Sequence, residues 1–226
     1  GSTPDGSLAD PYSNIPDAFA AAEQLVAANG DAIVRLLGNN FSNDDSTDQT
    51  TYEDNVAYEI GKGQFATQPT DGRTMDVPKG VTVMIEAGAV FKIRKANIDV
   101  GSSAFNEDRS GGALQVLGTP EHSVIFTSLN DESFDDADRD PATNTPKEGD
   151  WGGLVFRNEL DYDFIDAYDP ADGLPQRGVR ETQGIFLNYV NHADIRYGGG
   201  EVQVDGVPGV YTPIHMIEAR PTVTFN

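Results

Sequence analysis

The stretch Thr82-Val-Met-Ile-Glu-Ala-Gly-Ala-Val-Phe-Lys-Ile93 decides the fold, because it joins two short apolar runs through a tight Ala-Gly corner. Similar units occupy residues 113–127, 185–197 and 214–225. Their starts are spaced by about 30 residues, except where a long acidic insertion intervenes, and a period of this size is typical of solenoid proteins. The repetition therefore predicts strands that stack on one another from unit to unit.

The corners of these units predict parallel stacking rather than hairpins. Ala87-Gly88, Gly118-Thr119-Pro120 and Arg220-Pro221 lack the Asn-Gly or Asp-Gly pairs that close two-residue hairpins. Strand alternation predicts the inward-pointing side chains, which are Val81, Val83 and Ile85 in one strand and Ile185, Leu187 and Tyr189 in another. The predicted fold is all-β: a right-handed parallel β-helix (solenoid) with a short N-terminal capping α-helix.

The sequence divides into two parts. Residues 1–31 are predicted to be a lead-in and the capping helix, with the helix at roughly 16–29, because Pro16 and Asp17 suit a first helical turn and Asn29-Gly30 suits a helix end. Residues 32–226 are predicted to be the β-helix with acidic loop insertions, truncated at its C-terminal end because the chain stops inside a predicted strand. The predicted strands are 33–37, 56–60, 81–85, 90–93, 98–100, 114–117, 124–127, 154–156, 185–190, 195–197, 214–217 and 222–225. The loops near 38–54, 102–111, 128–150, 158–183 and 198–212 are expected to leave from one flank.

Charge and composition narrow the classes of partner. The 226 residues include 37 acidic and 15 basic side chains, for a net charge of −22. This excess argues against binding nucleic acid, which favours a basic face, and against docking on anionic lipid. The chain has no cysteine, which excludes disulfides and thiolate metal sites, and no stretch long enough to span a membrane. The acidity fits either a solvated surface or carboxylates that bind hard cations.

Four stretches resemble the β-helix region of very large secreted bacterial surface proteins. They are 76–92, Gly112-Ala-Leu-Gln-Val-Leu-Gly-Thr-Pro120, Val124-Ile-Phe-Thr-Ser128 and Gly149-Asp-Trp-Gly-Gly-Leu-Val-Phe156. The resemblance covers roughly residues 32–226. It implies a modular, secreted, extracellular or cell-surface protein that often carries adhesive or calcium-binding modules, and it brings no catalytic motif.

Clustered carboxylates are the candidate calcium ligands. The proposed set is Asp131, Asp135, Asp136, Asp138 and Asp140. Asp136, Asp138 and Asp140 have the alternate spacing that begins an EF-hand loop. Pro141 and Lys147, however, replace the glycine and glutamate that such a loop requires. Two looser clusters are Asn39, Asn40, Asn43, Asp44, Asp45 and Asp48, and Asp161, Asp163, Asp166, Asp169 and Asp172. The alternative for every cluster is a solvated loop without an ion.

Other polar and aromatic residues allow a second functional class. His192, Asp194 and Arg196 are predicted to share one strand face, where they could act as base, acid and charge clamp on a polysaccharide. Ordinary solvent-side alternation explains them equally. Trp151 lies between Asp150 and two glycines, where it could stack on a sugar or cover the edge of a coil.

The favoured expectation is a non-catalytic extracellular structural or adhesive module, calcium-stabilised and assembling end to end into filaments. Its expected partners are further copies of itself or neighbouring surface-protein modules, and carbohydrate, but not nucleic acid or a membrane. The alternative is a polysaccharide-active lyase or glycoside hydrolase. The net charge of −22 weighs against a lyase, because an acidic protein repels polyuronate chains.

Overall fold

The computed structural model describes residues 4–38, 57–61, 74–101, 109–134, 145–157, 187–204, 206–217 and 219–226. Within them lie one helix and fifteen strands. They are α1 (Ile15–Asn29), β1 (Ala32–Leu36), β2 (Tyr58–Ile60), β3 (Met75–Asp76), β4 (Val81–Glu86), β5 (Val90–Ile93), β6 (Ile98–Val100), β7 (Ala113–Leu117), β8 (Val124–Ser128), β9 (Leu154–Arg157), β10 (Tyr189–Asn191), β11 (Ala193–Ile195), β12 (Glu201–Val204), β13 (Val207–Val210), β14 (Ile214–Ile217) and β15 (Thr222–Thr224).

Three parallel sheets and one hairpin organise these strands. Sheet A has the order β1-β4-β7-β10-β15, sheet B has the order β11-β8-β5-β2, and sheet C has the order β14-β9-β6-β3. Successive strands enter sheets A, B and C in turn, and β12 and β13 form a separate antiparallel hairpin. Each pass of the chain through sheets A, B and C therefore adds one strand to each sheet.

The predicted right-handed parallel β-helix is wrong as the fold of this chain. The described strands form four separate sheets, one of them antiparallel, and a 15-residue helix shares their core, so the fold is a mixed stacking of parallel strands rather than one continuous solenoid. The insertions are also irregular, since long ones separate β1 from β2, β2 from β3 and β9 from β10 instead of leaving from one flank. The narrower expectation of parallel pairing between successive units is confirmed in all three large sheets.

The core is built from residues that occupy matching positions in neighbouring strands. Val81, Val83 and Ile85 are fully buried, as predicted, and Ile85 lies in register with Leu36 and Val116. Such columns of aliphatic side chains exclude water along the whole stack, and burial of apolar surface is the main stabilising contribution to folding.

Aromatic rings form a second column in sheet B. The rings of Tyr58 and Phe91 stack with their centroids 5.0 Å apart, and those of Phe91 and Phe126 stack at 5.1 Å. The strands place these three residues in register on the core side. Aromatic pairs at this distance add to the stability that burial alone provides.

The helix begins one residue earlier than predicted and joins the same core. The Asn14 side chain accepts a hydrogen bond from the Asp17 backbone N–H, and Gly30 ends the helix in the left-handed conformation. Its buried residues, Ile15, Phe19 and Ala22, belong to the main core cluster.

Across the described ranges, no helix combines the length and apolar character that a membrane crossing requires.

Two local predictions are wrong. Tyr189 is 37% exposed, whereas its neighbours Asn188 and Val190 are buried, so β10 is shifted by one residue from the predicted alternation. Leu187 is half-buried, and Ile185 lies outside the described residues. The predicted loop 198–212 contains the β12–β13 hairpin, because Asp205-Gly206 is a sequence pair that closes tight hairpins and Gly206 has a φ of 77°.

Candidate functional site

The predicted polar row does not form on one strand face. His192 lies at the corner between β10 and β11 with a φ of 47°, and its ring stacks on Phe225 with the centroids 5.0 Å apart. Asp194 lies in the middle of β11, and Arg196 follows that strand. The structure therefore brings Asp194 and Arg196 together and leaves His192 in a packing contact of its own.

Asp194 and Arg196 form a close ion pair. The Arg196 Nη2 lies 2.6 Å from the Asp194 Oδ2, and its Nε lies 3.0 Å from both carboxylate oxygens. The hydrogen bonds to Asp194 raise the pKa of Arg196, against the opposing effect of burial, and the charges of Asp194 and Asp131 act in the same direction. An arginine that is held this firmly in its charged form is unsuited to exchanging protons with a substrate.

Arg196 also contacts an aromatic ring that packs on the outer side of sheet B. Its guanidinium carbon lies 4.6 Å from the centre of the Phe134 ring, within the range of a cation–π contact. Phe134 is buried and forms a small apolar cluster with Ala57, Val90 and Ile125. The ion pair therefore serves the packing of the segment that follows β8.

Asp131 is the member of the predicted calcium set that the structure describes. It is 1% exposed, and its Oδ2 accepts a 2.5 Å hydrogen bond from the Thr127 hydroxyl. Its Oδ1 accepts a hydrogen bond from the Ser133 backbone N–H at 3.1 Å, so the carboxylate shapes its own turn. Asp135, Asp136, Asp138 and Asp140 lie outside the described residues, as do the two looser acidic clusters around 39–48 and 161–172. In the described part of the chain, no group of three or more His, Cys, Asp or Glu side chains could hold a metal ion.

A buried lysine on sheet B was not predicted. Lys92 is 1% exposed, and its Nζ lies 3.5 Å from the Glu132 Oε1. The residue alternates with the core-facing Phe91 and Ile93, and so it belongs to the outer side of the strand. Its position inside the apolar run Val90-Phe-Lys-Ile93 was the available signal, since a buried charge in such a run requires an ion-pair or hydrogen-bond partner.

Trp151 cannot serve as a sugar platform in this structure. The side chain is fully buried, and its indole Nε1 donates a 2.7 Å hydrogen bond to the Arg196 backbone carbonyl. The ring belongs to the main core cluster. Of the two roles that the sequence suggested, covering an edge of the core is the one that the burial supports.

The outer face of sheet A is accessible. Its exposed or half-buried residues follow the strand alternation, so they are the neighbours of the core columns: Ile33, Arg35, Thr82, Met84, Glu86, Gln115, Leu117, Tyr189, Asn191, Thr222 and Thr224. Ala113, which is in register with Thr82, is buried. Arg35 and Glu86 form an ion pair across β1 and β4. This face was not predicted, because the expected strand alternation placed Tyr189 in the core.

The edge strands β14 and β15 also carry exposed apolar side chains. The exposed fractions are 48% for Met216, 37% for Ile217 and 37% for Val223, and Phe225, which directly follows β15, is 78% exposed. β14 is the outermost strand of sheet C and β15 the outermost strand of sheet A. An outermost strand offers backbone N–H and C=O groups on its open side, which can pair with another strand.

Comparison with protein-family models, curated proteins and solved structures gives no significant match for this chain.

Proposed function

We propose that the chain is a non-catalytic structural or adhesive module of a secreted or cell-surface protein, and that it associates end to end through the edge strands β14 and β15. The exposed apolar side chains on the last strand of sheets A and C carry this proposal. The partner that we propose is a further copy of the chain. Filaments form if this edge meets the opposite end of the next copy, whereas two copies that meet edge to edge close as a pair.

The backbone of β15 is oriented for such pairing. Thr222 donates its N–H to the Asn188 carbonyl at 2.9 Å, and the Thr224 carbonyl accepts from the His192 N–H at 3.2 Å. Residues of a parallel strand turn their backbone groups alternately to one side and the other. The N–H and C=O of Val223, between the two threonines, therefore face the open edge.

The charge of this end favours association of like chains. Residues 206–226 contain one acidic residue, Glu218, and one basic residue, Arg220, whereas the whole chain has a net charge of −22. Two copies that meet elsewhere would bring acidic segments together and repel each other. At the β14–β15 edge this repulsion is small, and the apolar side chains can be buried.

The polysaccharide-active alternative has less support. His192 is stacked on Phe225, and the Asp194 carboxylate is occupied by Arg196. A general acid or base needs a free proton-exchanging group within reach of the substrate. A screen of mixed polysaccharides for new reducing ends or unsaturated sugars tests this alternative, and turnover that disappears in Asp194→Asn would favour it over our proposal.

The proposal is tested by measuring mass against concentration, by light scattering after size exclusion, for the wild type, Val223→Pro and Val223→Thr. Proline removes the N–H that faces the open edge without removing a hydrogen bond to β10, whereas threonine keeps this N–H. We expect concentration-dependent association in the wild type and Val223→Thr, and a monomer in Val223→Pro with an unchanged circular dichroism spectrum. A wild type that stays monomeric at every concentration would contradict the proposal, and electron microscopy of the associated form distinguishes filaments from closed pairs.

A further inference from the structure

We infer that the outer face of sheet A binds an uncharged polysaccharide, which lies extended across the strands. This inference builds on the proposed adhesive function and names the surface and the class of ligand. It concerns a different part of the molecule from the β14–β15 edge, so the two can be tested separately.

A row of side chains crosses the whole of sheet A in register. Arg35 pairs with Met84, Met84 with Gln115, Gln115 with Tyr189, and Tyr189 with Thr222. Neighbouring strands are about 4.8 Å apart, so the row repeats at that interval over roughly 19 Å. One sugar residue of an extended polysaccharide has a similar length, and successive sugars can therefore meet equivalent positions on successive strands.

A second row lies beside the first and supplies polar groups. Glu86 is in register with Leu117, Leu117 with Asn191, and Asn191 with Thr224. The Thr224 hydroxyl donates a 2.8 Å hydrogen bond to the Asn191 side-chain oxygen, and the Asn191 amide lies 3.3 Å from the Gly118 carbonyl. Fixed hydroxyl and amide groups of this kind can exchange hydrogen bonds with sugar hydroxyls at a small cost in side-chain entropy.

Tyr189 is the aromatic residue of the first row. It is 37% exposed and lies between Gln115 and Thr222, both of which are half-buried. Tyrosine offers a flat apolar ring together with a polar hydroxyl, and it is favoured at binding surfaces for both reasons. The ring provides a stacking surface for a sugar, and the neighbouring amide and hydroxyl groups are placed to bind its edges.

The outer face of sheet A has no net charge in the described residues, and this favours an uncharged polymer as its ligand. Arg35 and Glu86 are its charged side chains in the described residues, and they neutralise each other through an ion pair in which the Arg35 Nε lies 2.8 Å from the Glu86 Oε1. The chain as a whole carries −22 and would repel an acidic polysaccharide. A cationic polymer would bind the acidic segments in preference to a neutral face.

The other two parallel sheets do not offer a comparable surface in the described part of the chain. On sheet B, the outward-facing Lys92, Ile125 and Thr127 of the two middle strands are at most 3% exposed, and the outward-facing Asp194 of the edge strand β11 is paired with Arg196. On sheet C, the outward-facing Asp99 and Val155 are fully buried. The outer face of sheet A is thus the broad, regular surface available to an extended ligand.

Affinity electrophoresis tests the inference with named probes. Native gels containing hydroxyethylcellulose, glucomannan or xyloglucan are compared with gels containing polygalacturonate, for the wild type, Tyr189→Ala and Tyr12→Ala. Tyr12 lies before α1, outside sheet A, and serves as the matched aromatic control. We expect at least one neutral polymer to retard the wild type and Tyr12→Ala, no retardation by polygalacturonate, and an affinity loss of about fivefold in Tyr189→Ala. Met84→Glu, which places a charge in the same row, should also weaken binding.

Two results would overturn the inference: no retardation by any neutral polymer, or equal retardation of the wild type and Tyr189→Ala when both have the same melting temperature. Val223→Pro separates this inference from the proposed association. If Val223→Pro is monomeric and still binds, both proposals stand. If the wild type associates but never binds, only the polysaccharide site fails. If it binds but never associates, only the end-to-end association fails.

Discussion

The side-chain oxygen of Asn188 accepts a 2.9 Å hydrogen bond from the backbone N–H of Leu114, in the neighbouring strand of sheet A. Asn97 makes the same kind of contact in sheet C, where its Oδ1 accepts from the Gly153 N–H at 3.1 Å. Each asparagine is buried and immediately precedes a strand, β10 or β6. These amides therefore satisfy backbone donors at the points where parallel strands begin.

We expect Asn188→Ala to lower the free energy of unfolding by about 1–3 kcal/mol, because it leaves the buried Leu114 N–H without its acceptor. Urea unfolding followed by circular dichroism measures the change. Gln203→Ala is the control, since Gln203 is an exposed amide on the hairpin and its loss should cost little. Equal losses for the two variants would show that the Asn188 contact does not stabilise the fold.

We expect Gly153→Ala to destabilise the protein by at least about 2 kcal/mol, because the added Cβ would overlap the backbone carbonyl of Thr212 and β14 would have to move. Gly112→Ala is the matched control, since its Cβ would find its nearest atoms at 3.2 Å and needs only a small adjustment. Melting temperatures of the two variants make the comparison. A Gly153→Ala protein that melts with the wild type would contradict the close approach of β14 to this corner.

Local sequence patterns predicted the strands well but not how they assemble. The strands Val90–Ile93, Ile98–Val100 and Ile214–Ile217 have the predicted bounds, because short apolar runs between turn residues define them locally. The register of β10 could not be predicted in this way. Asn188 points inward because Leu114, which is 74 residues away in the chain, needs an acceptor, and no local pattern contains that requirement.

The free energy of unfolding should fall between about pH 10 and pH 12, in part because of the ionisation of Tyr58. Burial, and then the negative charge of Glu86, raise the pKa of Tyr58 from 10.0 to about 12 in the folded protein. The folded state therefore holds its proton more tightly, so this contribution is complete below pH 10 and is lost as the pH rises through 12. The loss is on the order of 3 kcal/mol once Tyr58 is ionised in both the folded and the unfolded state.

Unfolding free energies of the wild type and Tyr58→Phe, measured from pH 8 to pH 12, check this prediction. Phenylalanine keeps the stacking on Phe91 but loses the 3.0 Å hydrogen bond from the Tyr58 hydroxyl to the Leu37 carbonyl. The variant should be less stable at pH 8 and should show a shallower loss above pH 10. Parallel curves for the two proteins would show that Tyr58 has an ordinary pKa.

The ion pair of Asp194 and Arg196 should contribute little by itself. Their side chains are 36% and 41% exposed, and pairs that are this accessible usually contribute less than about 1 kcal/mol. We expect Asp194→Asn to cost no more than that in urea unfolding. Phe134→Ala should cost about 3 kcal/mol, because the ring is buried against Ala57, Val90 and Ile125. If Asp194→Asn lowered the free energy of unfolding more than Phe134→Ala, the ion pair rather than the buried ring would be the main stabilising contact.

Only part of the candidate site could be predicted from the sequence. A spacing of two residues correctly suggested that Asp194 and Arg196 lie on the same side, and they pair at 2.6 Å. The same spacing failed for His192, because the positive φ of this residue places it in a corner rather than in the strand. Trp151 is buried with its indole N–H bonded to Arg196, 45 residues later in the chain, and again no local pattern reveals such a contact.

Calcium should stabilise the protein if the segment containing Asp131, Asp135, Asp136, Asp138 and Asp140 binds it, as its composition predicts. Carboxylate oxygens are the ligands that this ion prefers, and binding to the folded state alone raises its stability by mass action. We expect a melting temperature several degrees higher in calcium than in chelator. A variant with asparagine at positions 135, 136, 138 and 140 should lose that difference. Asp131 stays unchanged in it because Thr127 and Ser133 already bond its carboxylate. An equal calcium response in the variant and the wild type would place the effect elsewhere on the acidic surface, and no response in either would leave these carboxylates as solvated charge.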